Sequence, residues 1–258
     1  MEPQSLLRVA DNEARALLAA ADTNWEQTIP HCPEWDAAEL ARHTGTIFGW
    51  MAAVVASGER VGFGTLDPAP QDPGDLPPWY RANLRQVLDV LGTTDPASET
   101  WTFSSTGDHR AGWWCRRLAV EISIHRWDVE HAVAGRAGQS PAALDGEVAR
   151  AGIEEFMIEF LPGLLAKERP GTTDSAQGAG ALGAIGGTFH LHGEDGPSEW
   201  WIDLDTGGPA QQQHADADTT VRGTRSDLLL WLTNRGPLES VELFGSEVII
   251  ERWRQFRR

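Results

Sequence analysis

Apolar positions recur at helical spacing through the first two thirds of the chain and give way to strict alternation in the last third. Leu6, Val9, Ala10, Leu17 and Leu18 place one apolar stripe on a helix over Pro3–Ala21. A turn is expected through Ile29-Pro30-His31-Cys32-Pro33-Glu34-Trp35. Asp36, with Glu39 three residues on, reads as a capping box that opens a long helix over Asp36–Ala56. Residues 58–78 are rich in Gly and Pro and read as an irregular connection. Further helices are expected over Trp79–Leu91, over Ala111–Ala134 with Gly135 as its C′ glycine, and over Leu144–Leu165.

Residues 167–187 are largely Gly, Ala, Thr and Ser, with little to pack, and read as a linker. Beyond them the period falls to two. Thr188–Gly193 and Glu199–Leu204 alternate like the arms of a hairpin, and a third strand is expected over Thr219–Gly223. A helix over Arg225–Thr233 follows, and Gly245-Ser246 caps a last helix ending at Phe256. The expected class is α+β: a helical bundle over 1–166, a linker over 167–187, and a small α+β domain over 188–258.

Against this pattern, two helices carry polar residues where a bundle helix should be apolar. His43 shares a face with Leu40, Ile47 and Trp50. Glu121 and His125 are one turn apart on a second helix, and Asp128 continues their face. A single inward histidine is more often a satisfied core residue, and a Glu–His pair at this spacing is more often a surface pair. Buried together, the same residues would be costly without a cation. Two imidazoles and one carboxylate form a three-ligand set that leaves a divalent metal one position for chemistry. His190 and His192 share one strand face in an HxH pattern that can bind metal; they read as surface strand residues, with a metal site the minor reading.

Composition narrows the partners. With 21 basic and 38 acidic residues the formal charge is −17, which disfavours nucleic acid and anionic membranes. No apolar run is long enough to span a bilayer and Met1–Asp11 lacks signal-peptide order, so a cytoplasmic protein is expected, as monomer or homodimer. Two cysteines, Cys32 and Cys115, make no disulfide framework.

Three stretches carry a resemblance. They are Cys32-Pro33-Glu34-Trp35-Asp36 with Leu40 and His43; Arg117-Leu118-Ala119-Val120-Glu121 with His125-Arg126-Trp127-Asp128-Val129-Glu130; and Gly223–Arg235 around Asp227-Leu228-Leu229-Leu230-Trp231-Leu232. In this order and spacing the chain resembles the mycothiol-dependent maleylpyruvate isomerase family, within the DinB-like metal-binding four-helix bundles. The C-terminal domain of that family is similar to sterol-carrier folds. The resemblance implies a divalent metal, usually zinc, on His43, Glu121 and His125, with Asp128 supporting a ligand from behind. It also implies mycothiol as cosubstrate, and a substrate- or thiol-binding role for Arg235 and Trp50. A solvent-facing arginine at a helix end is an equal reading of Arg235. The chain departs from the family pattern at Asn234, where glycine is usual and where Asn also tolerates a left-handed backbone, and at Ser246 in place of an aspartate.

The leading functional expectation is a metal-dependent S-transferase that directs a mycothiol thiolate at a small electrophile. The alternatives are a mycothiol-dependent cis–trans isomerase acting on a maleylpyruvate-like acid, and a non-catalytic zinc module that binds a partner or an apolar ligand. Cys32 as a nucleophile beside His31 is disfavoured, because sequence neighbours point apart. Limited proteolysis is expected to cut first within residues 167–187; early cleavage inside Ala111–Ala134 instead would contradict the bundle.

Overall fold

Helix α1 (Pro3–Ala21) begins with Pro at its first turn and buries Leu6, Leu7, Ala10, Ala14, Leu17 and Leu18. The computed structural model describes residues 1–137, 140–167, 186–206 and 210–256, and the expected linker falls almost wholly outside them. The chain divides into two compact units, Met1–Val148 and Ala149–Arg258.

In the first unit, the turn expected at residues 29–35 is a short antiparallel ribbon, β1 (Thr28–Ile29) and β2 (Cys32–Asp36). Asp36 then caps α2 (Ala37–Ser57) by accepting from the Glu39 amide at 2.8 Å. Gly58 closes that helix in the left-handed conformation, φ 74°. Residues 58–75 follow α2 irregularly, held in place where Arg42 donates to the carbonyls of Pro70 and Gln71 at 2.9 and 2.7 Å. Helix α3 (Leu76–Thr93) approaches α2 closely at Gly45, where a Cβ would sit 2.3 Å from the Trp79 ring.

Helix α4 (Ala111–Ala137) runs through Gly135 instead of ending there, since glycine permits a left-handed cap without requiring one. Each of α1–α4 packs against the other three, a four-helix bundle around Leu17, Leu40, Phe48, Tyr80, Leu118 and Ile122.

The fifth expected helix is one continuous run in three parts: α5 (Gly146–Glu154), a π-helical stretch (Glu155–Phe160), and α6 (Leu161–Lys167). Pro162 has no amide to give, and the wider hydrogen-bonding just before it accommodates the missing donor. In the second unit, β3 (Thr188–Gly193), β4 (Glu199–Asp203), β5 (Thr219–Gly223) and β6 (Glu242–Gly245) form one sheet in the order β4-β3-β5-β6. The β3–β4 pair is the expected hairpin, β3–β5 is parallel, and β6 is an edge strand absent from the sequence reading.

Helices α7 (Arg225–Leu232) and α8 (Glu247–Phe256) pack on one sheet face, where Phe189, Trp231 and Trp253 stack with centroids 5.0–5.9 Å apart. Asn234 takes the left-handed conformation, φ 59°, as its place after α7 suggested. Gly245, φ 92°, lies where a Cβ would meet the Asp218 carbonyl oxygen at 2.1 Å.

Arg126 is a charge buried inside the bundle, 2% exposed. It donates to Glu13 at 2.6 Å, to Glu130 at 2.7 Å, and to the carbonyls of Ala142 and Ala143 at 2.6 and 3.2 Å. One guanidinium thus joins α1, α4 and the segment before α5. Truncating Arg126 leaves two partly buried carboxylates unpaired, so Arg126→Ala should destabilise the protein by about 3–5 kcal/mol. Urea unfolding followed by circular dichroism measures it, and a loss under about 1 kcal/mol, the scale of an exposed pair, would contradict the role.

Candidate metal centre

His43 on α2 and Glu121 and His125 on α4 converge inside the first unit. Their donor atoms all lie within 4.8 Å of one another. His43 Nε2 is 3.4 Å from Glu121 Oε1, and His125 Nε2 is 3.2 Å from the same oxygen. The two imidazoles meet edge to face at 5.2 Å, and Trp35 from β2 lies against His43 at 4.8 Å. The ribbon that replaces the expected turn therefore supplies one wall of the site.

Asp128 is fully buried and faces His125 Nδ1 at 3.1 Å. An ionised carboxylate only accepts, so Nδ1 donates to Asp128 and Nε2 is the nitrogen turned toward Glu121. Nε2 faces the Glu121 carboxylate across 3.2 Å, a gap that a proton or a metal ion can bridge. Arg117, one turn before Glu121, pairs with the other carboxylate oxygen, Oε2. Oε1 is thereby left to point between the histidines. The i,i+4 spacing of Arg117 and Glu121 was visible in sequence, but its part in the site was not drawn from it.

Burial, with His125 and Arg117 adding repulsion, pushes the His43 imidazole down to about 4. At neutral pH it is an uncharged donor. The donor set, two neutral imidazoles and one carboxylate with their outer partners in place, fits a divalent ion. Among the described residues this cluster contains three such donors and no fourth.

Trp50 lies farther along α2, 7% exposed, in an aromatic cluster. Its neighbours are Phe63, Trp101, Phe103 and Trp114, with centroids 4.7–6.4 Å away, and its Nε1 donates to the Val61 carbonyl. Arg235 belongs to the second unit, where its guanidinium donates to the Thr233 carbonyl at 2.8 Å. Cys115 is buried, its thiol pushed up to about 11 by loss of solvent, which suits packing and not nucleophilic attack. Neither cysteine is in a disulfide.

Residues 7–130 match the family model described as the mycothiol maleylpyruvate isomerase N-terminal domain, and residues 147–247 match the model of the C-terminal domain of the same proteins. The chain belongs to the mycothiol-dependent maleylpyruvate isomerase family. Two crystal structures titled as the mycothiol-dependent maleylpyruvate isomerase share its fold. One, a histidine-to-alanine mutant, aligns with TM-score 0.60 at 12% identity over 94% of this chain and 93% of that one. The other aligns with TM-score 0.58 at 13% identity over the same shares. A search of curated protein sequences finds no match. Within the family fold, no helix among the described residues is long and apolar enough to cross a membrane.

The His43 shift has a signed consequence. The unfolded chain takes a proton at the ordinary value of 6.5, whereas the folded site resists it until about 4. The unfolded state binds more protons between these values, so stability is full above pH 6.5 and lost as pH falls toward 4. Urea unfolding of metal-free protein should show this slope, and His43→Gln should flatten it; equal slopes in both proteins would contradict the assignment.

Proposed function

We propose that this member of the family is a metal-dependent, mycothiol-using enzyme whose first step is addition of the thiol sulfur to a small electrophilic alkene. The observation that carries the reading is the His43–Glu121–His125 triad with Asp128 behind it and, among the described residues, three protein donors only. Three donors suit an ion with a position left for an exogenous ligand; a purely structural zinc site takes four. A bound divalent ion, zinc being the usual choice for such donors, would supply the Lewis acidity that brings a thiol from about 8.5 toward neutrality.

The chain's own residues prepare that chemistry. Asp128 holds the Nδ1 proton of His125 and so fixes which nitrogen faces the centre. Arg117 occupies one oxygen of Glu121 and aims the other. Burial keeps His43 neutral and available. Arg235 is the cation we assign to an anionic substrate or thiol, on the strength of its place in the C-terminal motif, and Trp50 an apolar contact.

Two outcomes follow from addition. Expulsion of the thiol after rotation about the former double bond gives a geometric isomer; retention gives a thioether. The family to which the chain belongs favours the isomerase outcome with a maleylpyruvate-like acid. Identity of only 12–13% to the solved relatives leaves room for a different electrophile and for transfer.

His43→Ala, Glu121→Ala and His125→Ala should each lower zinc affinity sharply and abolish turnover, while Asp128→Asn should weaken affinity about 10- to 100-fold. Cys32→Ser and Cys115→Ser should retain turnover. Isotope-labelled mycothiol with a panel of electrophilic alkenes, read by mass spectrometry, separates the outcomes: label in the product marks transfer, and an unlabelled isomer formed only with thiol marks isomerisation. Turnover indifferent to thiol would reject both.

A further inference from the structure

A second group of metal-binding side chains converges in the C-terminal unit. It lies on the sheet face opposite the one that α7 and α8 cover. Alternation along β3 sends Phe189 and Leu191 to the helices and His190 and His192 to this other face. In the β3–β4 register His192 stands directly opposite Glu199. His190 Nε2 lies 2.7 Å from Glu199 Oε2, and His192 Nδ1 lies 2.8 Å from Oε1. His190 is 3% exposed, so it is not the surface residue its strand position suggested.

The connection between β4 and β5 supplies the fourth donor. It is tied to β4 by reciprocal backbone bonds between Trp201 and Gln211, 2.8 and 2.7 Å, and again where Trp201 Nε1 donates to the Asp216 carbonyl at 3.2 Å. Between these two ties, His214 Nδ1 comes to 3.3 Å from Glu199 Oε1. The three imidazole centroids are 5.2–6.1 Å apart, and all four donor atoms lie within 4.8 Å of one another. The histidines border a cavity of about 440 Å³ that also reaches Thr220 and Arg222. The charge of Arg222 is met elsewhere, by Glu194 at 2.8 Å and Glu242 at 3.6 Å.

Hydrogen bonding alone serves this group poorly. Glu199 Oε1 is shared by two imidazoles, and His192 Nδ1, although buried and close to it, has no aligned hydrogen-bond partner. A tetrahedral ion with bonds near 2.0–2.1 Å holds its donors roughly 3.3 Å apart. Side chains already spaced at 2.7, 2.8 and 3.3 Å need only small rotations to surround one.

We propose that His190, His192, Glu199 and His214 bind one divalent transition-metal ion of the zinc class. Three nitrogens and one oxygen select zinc, cobalt, nickel or copper over magnesium or calcium. Four protein donors close the coordination sphere, so the site is a clamp and not a second catalytic centre. Its effect is to fasten the β4–β5 connection onto the sheet.

The test uses full-length untagged chain, loaded with Zn²⁺, freed of excess by gel filtration, and measured for zinc by mass spectrometry. The His214→Ala variant should lose one equivalent per chain relative to its parent, both in the wild type and in His43→Ala. Because His214 is 73% exposed in its side chain, this variant leaves the fold intact. His192→Ala should lose the same equivalent. Cobalt provides a second readout: a tetrahedral visible band should persist in His43→Ala and vanish in His43→Ala/His214→Ala. Unchanged zinc content in both His214→Ala and His192→Ala, in either background, overturns the proposal. The outcome is independent of the first centre, since only the difference made by His214 or His192 is read.

Discussion

Helix α4 carries Arg126 and Asp128 at 2% and 0% exposure, next to and near His125, and a charge buried so deeply must be met by its opposite. That requirement organises the first unit. On one side, Arg126 draws in Glu13 of α1 and the carbonyls before α5. On the other, Asp128 accepts the Nδ1–H of His125, whose Nε2 turns toward Glu121 and so toward α2. The bundle is therefore registered by polar contacts as well as by its apolar seams, and the same helix presents the donor set. Position and chemistry share one cause.

The second unit reaches a similar end by other means. Its apolar face is made by aromatic stacking, with Phe189, Trp231 and Trp253 in near-parallel layers. The opposite face is polar, and strand alternation alone separates the two. Three histidines and a glutamate gather there because two strands and one connection meet, not because any segment encodes a motif.

Much of the fold was legible in the chain. Helical period gave α1 with its observed bounds, the Asp36–Glu39 pair marked the start of α2, and Asn234 marked a left-handed turn. Spacing within one helix also brought Glu121, His125 and Asp128 together, because i,i+3 and i,i+4 neighbours are fixed by the helix itself. What spacing leaves open is adjacency between segments. The β1–β2 ribbon and edge strand β6 are short and depend on partners, so they carry little local signal. The company of His190 and His192 was missed for the same reason: Glu199 comes from the neighbouring strand and His214 from beyond it. Gly135 shows the converse, a local stop signal through which α4 continues to Ala137.

The parallel pairing of β3 with β5 has a consequence for how the second unit comes into being. Phe189 pairs with Thr219, yet the chain between them must first lay down β4 on the far side of β3 and then return. The β3–β4 hairpin is local and closes quickly, whereas β5 pays the entropy of a long excursion before its first ladder bond forms. The expected order of assembly is hairpin first and β5 with its neighbour β6 afterwards. Until then β3 exposes an unpaired edge that the returning chain covers.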